Sequence, residues 1–174
     1  LVSLKELNLN SNLIKTLNMK DFKNLNKLET LKVSSNLIRE LNDPSLFLMI
    51  PKLRILELNS NNIKKFNLIV LKHTNLQYLD LGGNELLSLE FVPMKNLRSL
   101  MLGSVIFIKN LSHNIDLSQI SSTLFILDLS APKNLELNIS SILFEMNDLK
   151  NLNLRQIKMK SSDLIDWNNK LTKL

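Results

Sequence analysis

Cysteine is absent from the sequence, so no disulfide holds this chain together and its redox compartment cannot be read. Only 3 glycines are present, which leaves the turns to Asn and Ser. Aromatic residues make up 5% against a hydrophobic content of 44%. That ratio is unusual for a compact core and natural for a narrow one filled by leucine. No apolar run is long enough to span a bilayer, and no signal-peptide pattern is present. The 2 histidines, His73 and His113, lie far apart in sequence and read as loop residues. There is no H-E-x-x-H, no phosphate loop, no dinucleotide fingerprint and no G-x-S-x-G. The sequence therefore points away from an enzyme, and it predicts no catalytic residue, no metal and no cofactor.

What is present is a repeat. Leu76-Gln77-Tyr78-Leu79-Asp80-Leu81-Gly82-Gly83-Asn84 has the form L-x-x-L-x-L-x-x-N. The same form runs from Leu4 to Asn12, from Leu28 to Asn36 and from Leu53 to Asn61, with Asn-to-Asn spacings of 24, 25 and 23. These fall in the range of leucine-rich repeats. A short strand points the fourth and sixth residues of each motif inward and the residue between them outward. The closing Asn leaves the strand, and its amide both donates and accepts, so it can satisfy backbone groups of neighbouring turns. Apolar residues recur two and five places after each Asn: Ile14, Ile38, Ile63, Leu86 and Leu17, Leu41, Phe66, Leu89. Phe22 and Phe47 come later and should fill the back of the turn.

Three further copies begin at Leu97, Leu124 and Leu149 but carry Val105, Pro132 and Ile157 where Asn is expected. None of these side chains reproduces the amide bonds, and proline also lacks an N–H. The predicted organisation is one array over residues 1–174, about seven repeats with partial ends. A regular Asn ladder covers 1–96 and an irregular one 97–174, with altered curvature or local irregularity from about residue 100. The chain opens and stops inside motifs, which predicts an internal piece of a longer protein. The fold expected is an α/β leucine-rich-repeat solenoid, a horseshoe with a parallel concave β-sheet and a mostly irregular or short-helical convex side. Its outward columns can be named in advance. The first holds Glu6, Thr30, Ile55, Tyr78, Ser99, Ile126 and Asn151; the central one holds Asn8, Lys32, Glu57, Asp80, Met101, Asp128 and Asn153.

The formal charge of +6 is spread along the chain rather than gathered in one arm. Ile55 and Tyr78 should be exposed neighbours on adjacent strands, beside Glu57 and Asp80, and these four form a candidate ligand-binding patch. Glu57 and Asp80 could in principle be a catalytic or metal-binding pair; a solvated binding face suits them better. Three places after the Asn stand Lys15, Arg39 and Lys64, a candidate anion-binding column, although Glu40 beside Arg39 weakens it and a plain solvated edge suits it better. The same register continues through Leu87, Ile108 and Leu135 to Lys160. No aromatic interleaving suggests a base-stacking platform. Asn110-Leu111-Ser112 and Asn138-Ile139-Ser140 are glycosylation sequons on one flank, which predicts glycans at Asn110 and Asn138 in a secreted setting.

The whole chain resembles the extracellular leucine-rich repeats of Toll-like receptors. The residues that carry the likeness are Leu7-Asn8-Leu9-Asn10-Ser11-Asn12, Leu79-Asp80-Leu81-Gly82-Gly83-Asn84 and Leu127-Asp128-Leu129-Ser130, with the Phe22 and Phe47 spacing and the uneven repeat lengths. Bacterial internalin-type repeats look more uniform, and the L-x-G-x-I-P of plant receptors is absent. The resemblance implies a glycosylated receptor ectodomain on the extracellular side of a membrane, at the cell surface or in the endosomal lumen. It implies a microbial ligand, lipid or nucleic acid, a receptor homo- or heterodimer, and room for a protein co-receptor. The broken ladder looks like the middle of the lipid-sensing members, while the cationic column is compatible with the nucleic-acid sensors. The alternatives are an extracellular adhesion or scaffold protein that binds a protein partner on its concave face and, more remotely, a regulatory domain attached to an enzyme.

Overall fold

The computed structural model of the chain describes residues 2–41, 43, 45–87, 89, 91–105, 117–130 and 146–157. Seven three-residue strands form one parallel sheet in the order β1 (Glu6–Asn8), β2 (Thr30–Lys32), β4 (Ile55–Glu57), β6 (Tyr78–Asp80), β7 (Ser99–Met101), β8 (Ile126–Asp128) and β9 (Asn151–Asn153). Every neighbouring pair is parallel and in the same register, so Leu7, Leu31, Leu56, Leu79, Leu100, Leu127 and Leu152 form a single inward column. From Leu31 to Leu127 these leucines are completely buried. The expected columns are therefore the observed ones. The pairing continues unshifted through β7, β8 and β9, beyond the last ladder Asn.

A smaller parallel pair, β3 (Glu40–Leu41) and β5 (Lys65–Phe66), follows the ladder in two repeats. The chain then returns through 3-10 turns at Met19–Phe22, Leu46–Met49 and Leu68–Leu71, stacked in succession behind the sheet. A fourth spans Ser121–Thr123. Helical structure among the described residues is limited to these short turns, as the absence of any extended 3.6-residue apolar period requires. Phe22, Phe47, Ile38, Ile63, Leu86, Leu41, Phe66 and Leu89 are buried. Ile14 and Leu17 are only partly so, because their repeat has a neighbour on one side only.

The Asn ladder is present as bonds. Asn36 accepts from Ile14 N–H at 3.0 Å and donates to Leu9 O, Val33 O and Ser34 O. Asn61 accepts from Ile38 N–H at 3.1 Å, and Asn84 accepts from Ile63 N–H at 3.0 Å. Each links its own turn to the one before it. At Asn12 the donations to Leu9 O and Asn10 O lie at the surface. Val105 is buried where the next Asn would stand. Pro132 lies outside the described residues.

Among the described residues, the one before each ladder position adopts a left-handed backbone: Ser11, Ser35, Ser60, Gly83, Ser104 and Gln156 all have φ between 55° and 67°. Only one is glycine, and Ser104 and Gln156 adopt it with no ladder Asn after them, so the conformation belongs to the closed turn itself. Glycine is needed more at position 82. A Cβ there would lie 2.8 Å from the backbone oxygen of Gly103, which also accepts from Gly83 N–H. Gly82→Ala is expected to cost about 1–3 kcal/mol in chemical denaturation. Gly103→Ala should cost less, since its shortest contact is the Ser130 hydroxyl, which can rotate away.

Candidate functional site on the outward face of the sheet

Alternation along a three-residue strand leaves its first and third side chains facing out. Cross-strand register places Ile55 beside Tyr78, and Glu57 beside Asp80. The four candidate residues thus come together on β4 and β6 and are each half-buried. The face extends further. Ser99 and Met101 follow on β7, and Ile126 and Asp128 on β8, all half-buried. The result is an outer column of Ile55, Tyr78, Ser99 and Ile126, apolar and aromatic except at Ser99, beside a column carrying Glu57, Asp80, Met101 and Asp128.

The charges on this face are unevenly compensated. Lys32 forms an ion pair with Glu6 at 2.9 Å, and that hydrogen bond raises the Lys32 pKa above its ordinary value. Among the described residues, Glu57, Asp80 and Asp128 have no cation within ion-pair distance. Asp80 is shifted upward by burial first, then by the charges of Glu57 and Asp128; a hydrogen bond from Gly82 N–H at 2.9 Å opposes the shift. The Tyr78 pKa is pushed up to about 12 by burial, then by the charges of Asp80 and Glu57.

Two consequences follow for pH. The folded-state pKa of Tyr78 lies above the unfolded one, so its contribution to stability is intact below about pH 10 and is lost as pH rises towards 12. Asp80 is shifted in the same sense, so its ionisation costs stability as pH rises through the carboxylate range. Asp80→Asn is therefore expected to raise the melting temperature at neutral pH. It should also lower the Tyr78 pKa while leaving it above the ordinary value, because burial remains. Tyr78 is the only tyrosine in the sequence, so tyrosinate absorbance reads it directly.

The candidate anion column also has a structural basis. Lys64 N–H donates to Arg39 O and Leu87 N–H to Lys64 O, both at 2.9 Å, stacking these positions on one edge. Lys15, Arg39 and Lys64 are all exposed. Lys64 pairs with Glu85 at 3.6 Å, which offsets part of the column's charge. His73 is exposed in the loop before β6, beside Lys72 and Thr74. Asn110, Asn138, His113 and the later column positions Ile108, Leu135 and Lys160 lie outside the described residues.

One feature of the repeat escapes a reading confined to the strands. The second motif position forms its own column on the flank: Lys5, Glu29, Arg54, Gln77, Arg98, Phe125 and Lys150, joined by successive backbone hydrogen bonds of 2.8 Å. Glu29 bridges Lys5 at 3.9 Å and Arg54 at 3.4 Å. Phe125 sits between Arg98 and Lys150, whose charges lie 5.3 and 5.1 Å from its ring centre. The alternation of Lys5, Glu29 and Arg54 at one motif position was the available signal. This edge is internally satisfied, in contrast to Asp80 and Asp128 on the face, which have no cation within ion-pair distance among the described residues.

A family model described as leucine rich repeat matches residues 1–38. No curated protein matches the chain. Among solved structures, it is similar to the crystal structure of the TLR13–ssRNA13 complex, with 21% identity and a TM-score of 0.53, covering 90% of this chain and 30% of that one. It is also similar to the functional domain of InlJ from Listeria monocytogenes, which includes a cysteine ladder, with 23% identity and a TM-score of 0.49, covering 92% of this chain and 42% of that one. The chain thus spans less than half the length of either. The fold is a leucine-rich-repeat solenoid. Proteins of this kind are generally binding modules without catalytic activity.

Proposed function

We propose that this chain is a ligand-recognition module whose concave sheet face, centred on Ile55, Glu57, Tyr78 and Asp80, takes the ligand. The observation that carries this reading is the side-by-side placement of two half-buried apolar groups against two carboxylates on adjacent strands. Rigid strands present these groups with little ordering cost on binding. We further propose that the module serves in a Toll-like innate immune receptor, on the extracellular side of a membrane, that senses a microbial product and signals by dimerising. The repeat pattern and the shared fold support this; one structural neighbour is a complex with single-stranded RNA.

A ligand that bridges two copies shifts monomers to dimers. The test is sedimentation velocity of the chain with a single-stranded RNA, a bacterial lipopeptide or a basic peptide, repeated on an Ile55→Ala/Tyr78→Ala variant. Binding of one probe should weaken by about 10- to 100-fold in the variant, as expected of a truncated contact centre. The concave reading fails if no probe depends on these two residues. Lys15→Ala, Arg39→Ala and Lys64→Ala together examine the edge separately: loss of RNA binding there, with the face variant unaffected, would move the site to the flank. A second reading, an extracellular adhesion or scaffold protein holding a protein partner, gains support from the carboxylates on the face, which repel phosphate.

A further inference from the structure

The carboxylates of the sheet face do more than the fold requires of them. Asp80 Oδ1 accepts from Gly82 N–H at 2.9 Å, and Asp128 Oδ1 accepts from Ser130 N–H at 2.8 Å. In the same column Asn8 and Asn153 make the same bond to Asn10 N–H and Arg155 N–H. The turn therefore needs a side-chain oxygen and not a negative charge. Among the described residues, Glu57 makes no such bond to the turn. The two outward columns hold four acids, Glu6, Glu57, Asp80 and Asp128, against one base, Lys32, in a chain whose formal charge is +6. Lys32 is already engaged by Glu6. The molecule is thus basic overall, with a locally acidic centre in which Lys32, paired with Glu6, also attracts the neighbouring Glu57 while Asp80 and Asp128 have no cation within ion-pair distance among the described residues, set beside Ile55, Tyr78, Met101 and Ile126.

We infer that the occupant of this face is a cationic protein segment, with Lys or Arg side chains against Glu57, Asp80 and Asp128 and apolar side chains on Ile55, Tyr78 and Ile126. Charge complementarity selects this occupant over nucleic acid, whose phosphates would meet three carboxylates, Glu57 only partly offset by Lys32. The half-buried setting strengthens the pairing, because partial removal from water raises the energy of each charge contact. Strand spacing of about 4.8 Å puts Asp80 and Asp128 about 10 Å apart across Met101, a span that an extended segment covers with cations about three residues apart. The apolar column runs parallel to this row and receives the side chains between them. The inference rests on the concave-face reading and specifies its partner.

The probe is a fluorescent oligopeptide of lysine and leucine, with the aspartate and leucine counterpart as the charge-reversed control, measured by anisotropy against the full chain. Because the chain is net positive, long-range attraction does not favour the lysine peptide, and its binding has to come from a local acidic surface. Glu57→Gln, Asp80→Asn and Asp128→Asn are combined in one variant. Asparagine keeps the turn bonds, as at Asn8 and Asn153, so circular dichroism should match the parent. Asp43→Asn, Glu85→Gln and Asp148→Asn remove the same charge away from the sheet face. The lysine peptide should bind the face variant about tenfold or more weakly, and the off-face variant within about twofold, with the aspartate peptide binding neither. Equal weakening in both variants, or none in either, overturns the inference. Binding of the aspartate peptide or of single-stranded RNA that is lost in Tyr78→Ala would overturn the cationic partner while leaving the concave face as the site. Loss of no probe on any face substitution would remove both.

Discussion

Replacing Asn84 by alanine should lower the unfolding free energy by about 3–5 kcal/mol, since each buried polar group left unpaired costs about 1–3 kcal/mol. Asn84 is 1% exposed. Its oxygen takes the Ile63 N–H of the preceding turn, and its amide donates to Leu58 O at 3.0 Å and to its own turn's Leu81 O at 2.8 Å. Alanine leaves the Ile63 N–H and Leu81 O unpaired and admits no water in its place, while Leu58 O keeps the Asn61 amide and Gly82 O keeps the Ser60 N–H. Leucine, larger and fully apolar, should do no better. Asn12→Ala is the internal comparison. Its donations go to exposed carbonyls that water can serve, so the cost should stay below about 1 kcal/mol. Urea denaturation of both variants decides the matter. If the two costs were equal, the ladder would be a local turn motif and not the tie between repeats.

The strands, their inward columns and the ladder were legible because period-two alternation and a fixed motif length leave one consistent register. Once Leu31, Leu56 and Leu79 must all be buried, Thr30, Ile55 and Tyr78 have to line up outside. The left-handed serines were not legible: Ser35 and Ser60 carry no glycine signature, and only the closed turn reveals their φ. The flank column was hidden for a different reason. Lys5, Glu29 and Arg54 precede the strands, where alternation no longer states which way a side chain points. The candidate site was half legible. Spacing placed Ile55, Glu57, Tyr78 and Asp80 together, but Asp128 is two strands from Asp80. Its charge nevertheless acts on both Tyr78 and Asp80, an effect that depends on burial and not on sequence neighbourhood.

The contrast between face and flank also bears on function. On the flank, charges that meet are opposite in sign: Glu29 lies between Lys5 and Arg54. On the face, Glu57, Asp80 and Asp128 are alike, and burial adds to their mutual repulsion at Asp80. A sheet under no demand but stability could carry asparagine at these places, as it does at Asn8 and Asn153. Charge that costs stability at Asp80, beside apolar groups on a rigid surface, is what the proposed binding face would use.

Phe47→Ala should prove as damaging as the loss of a ladder Asn, at about 3–5 kcal/mol, but through a different link. Phe47 is fully buried in the turn Leu46–Met49, which packs on Met19–Phe22 on one side and on Leu68–Leu71 on the other. Alanine leaves a void that short 3-10 turns, held by few bonds of their own, collapse into only partly. Because each repeat of a solenoid leans on its neighbours alone, the void loosens two interfaces together. Hydrogen exchange should therefore quicken at the amides of β2, β4 and β6 while those of β8 and β9 keep their protection. Phe47→Leu, which refills most of the volume, should recover more than half of the loss. Uniform quickening across all seven strands would mean that the array unfolds as one unit, and the coupling between repeats would then exceed what the stacked turns provide.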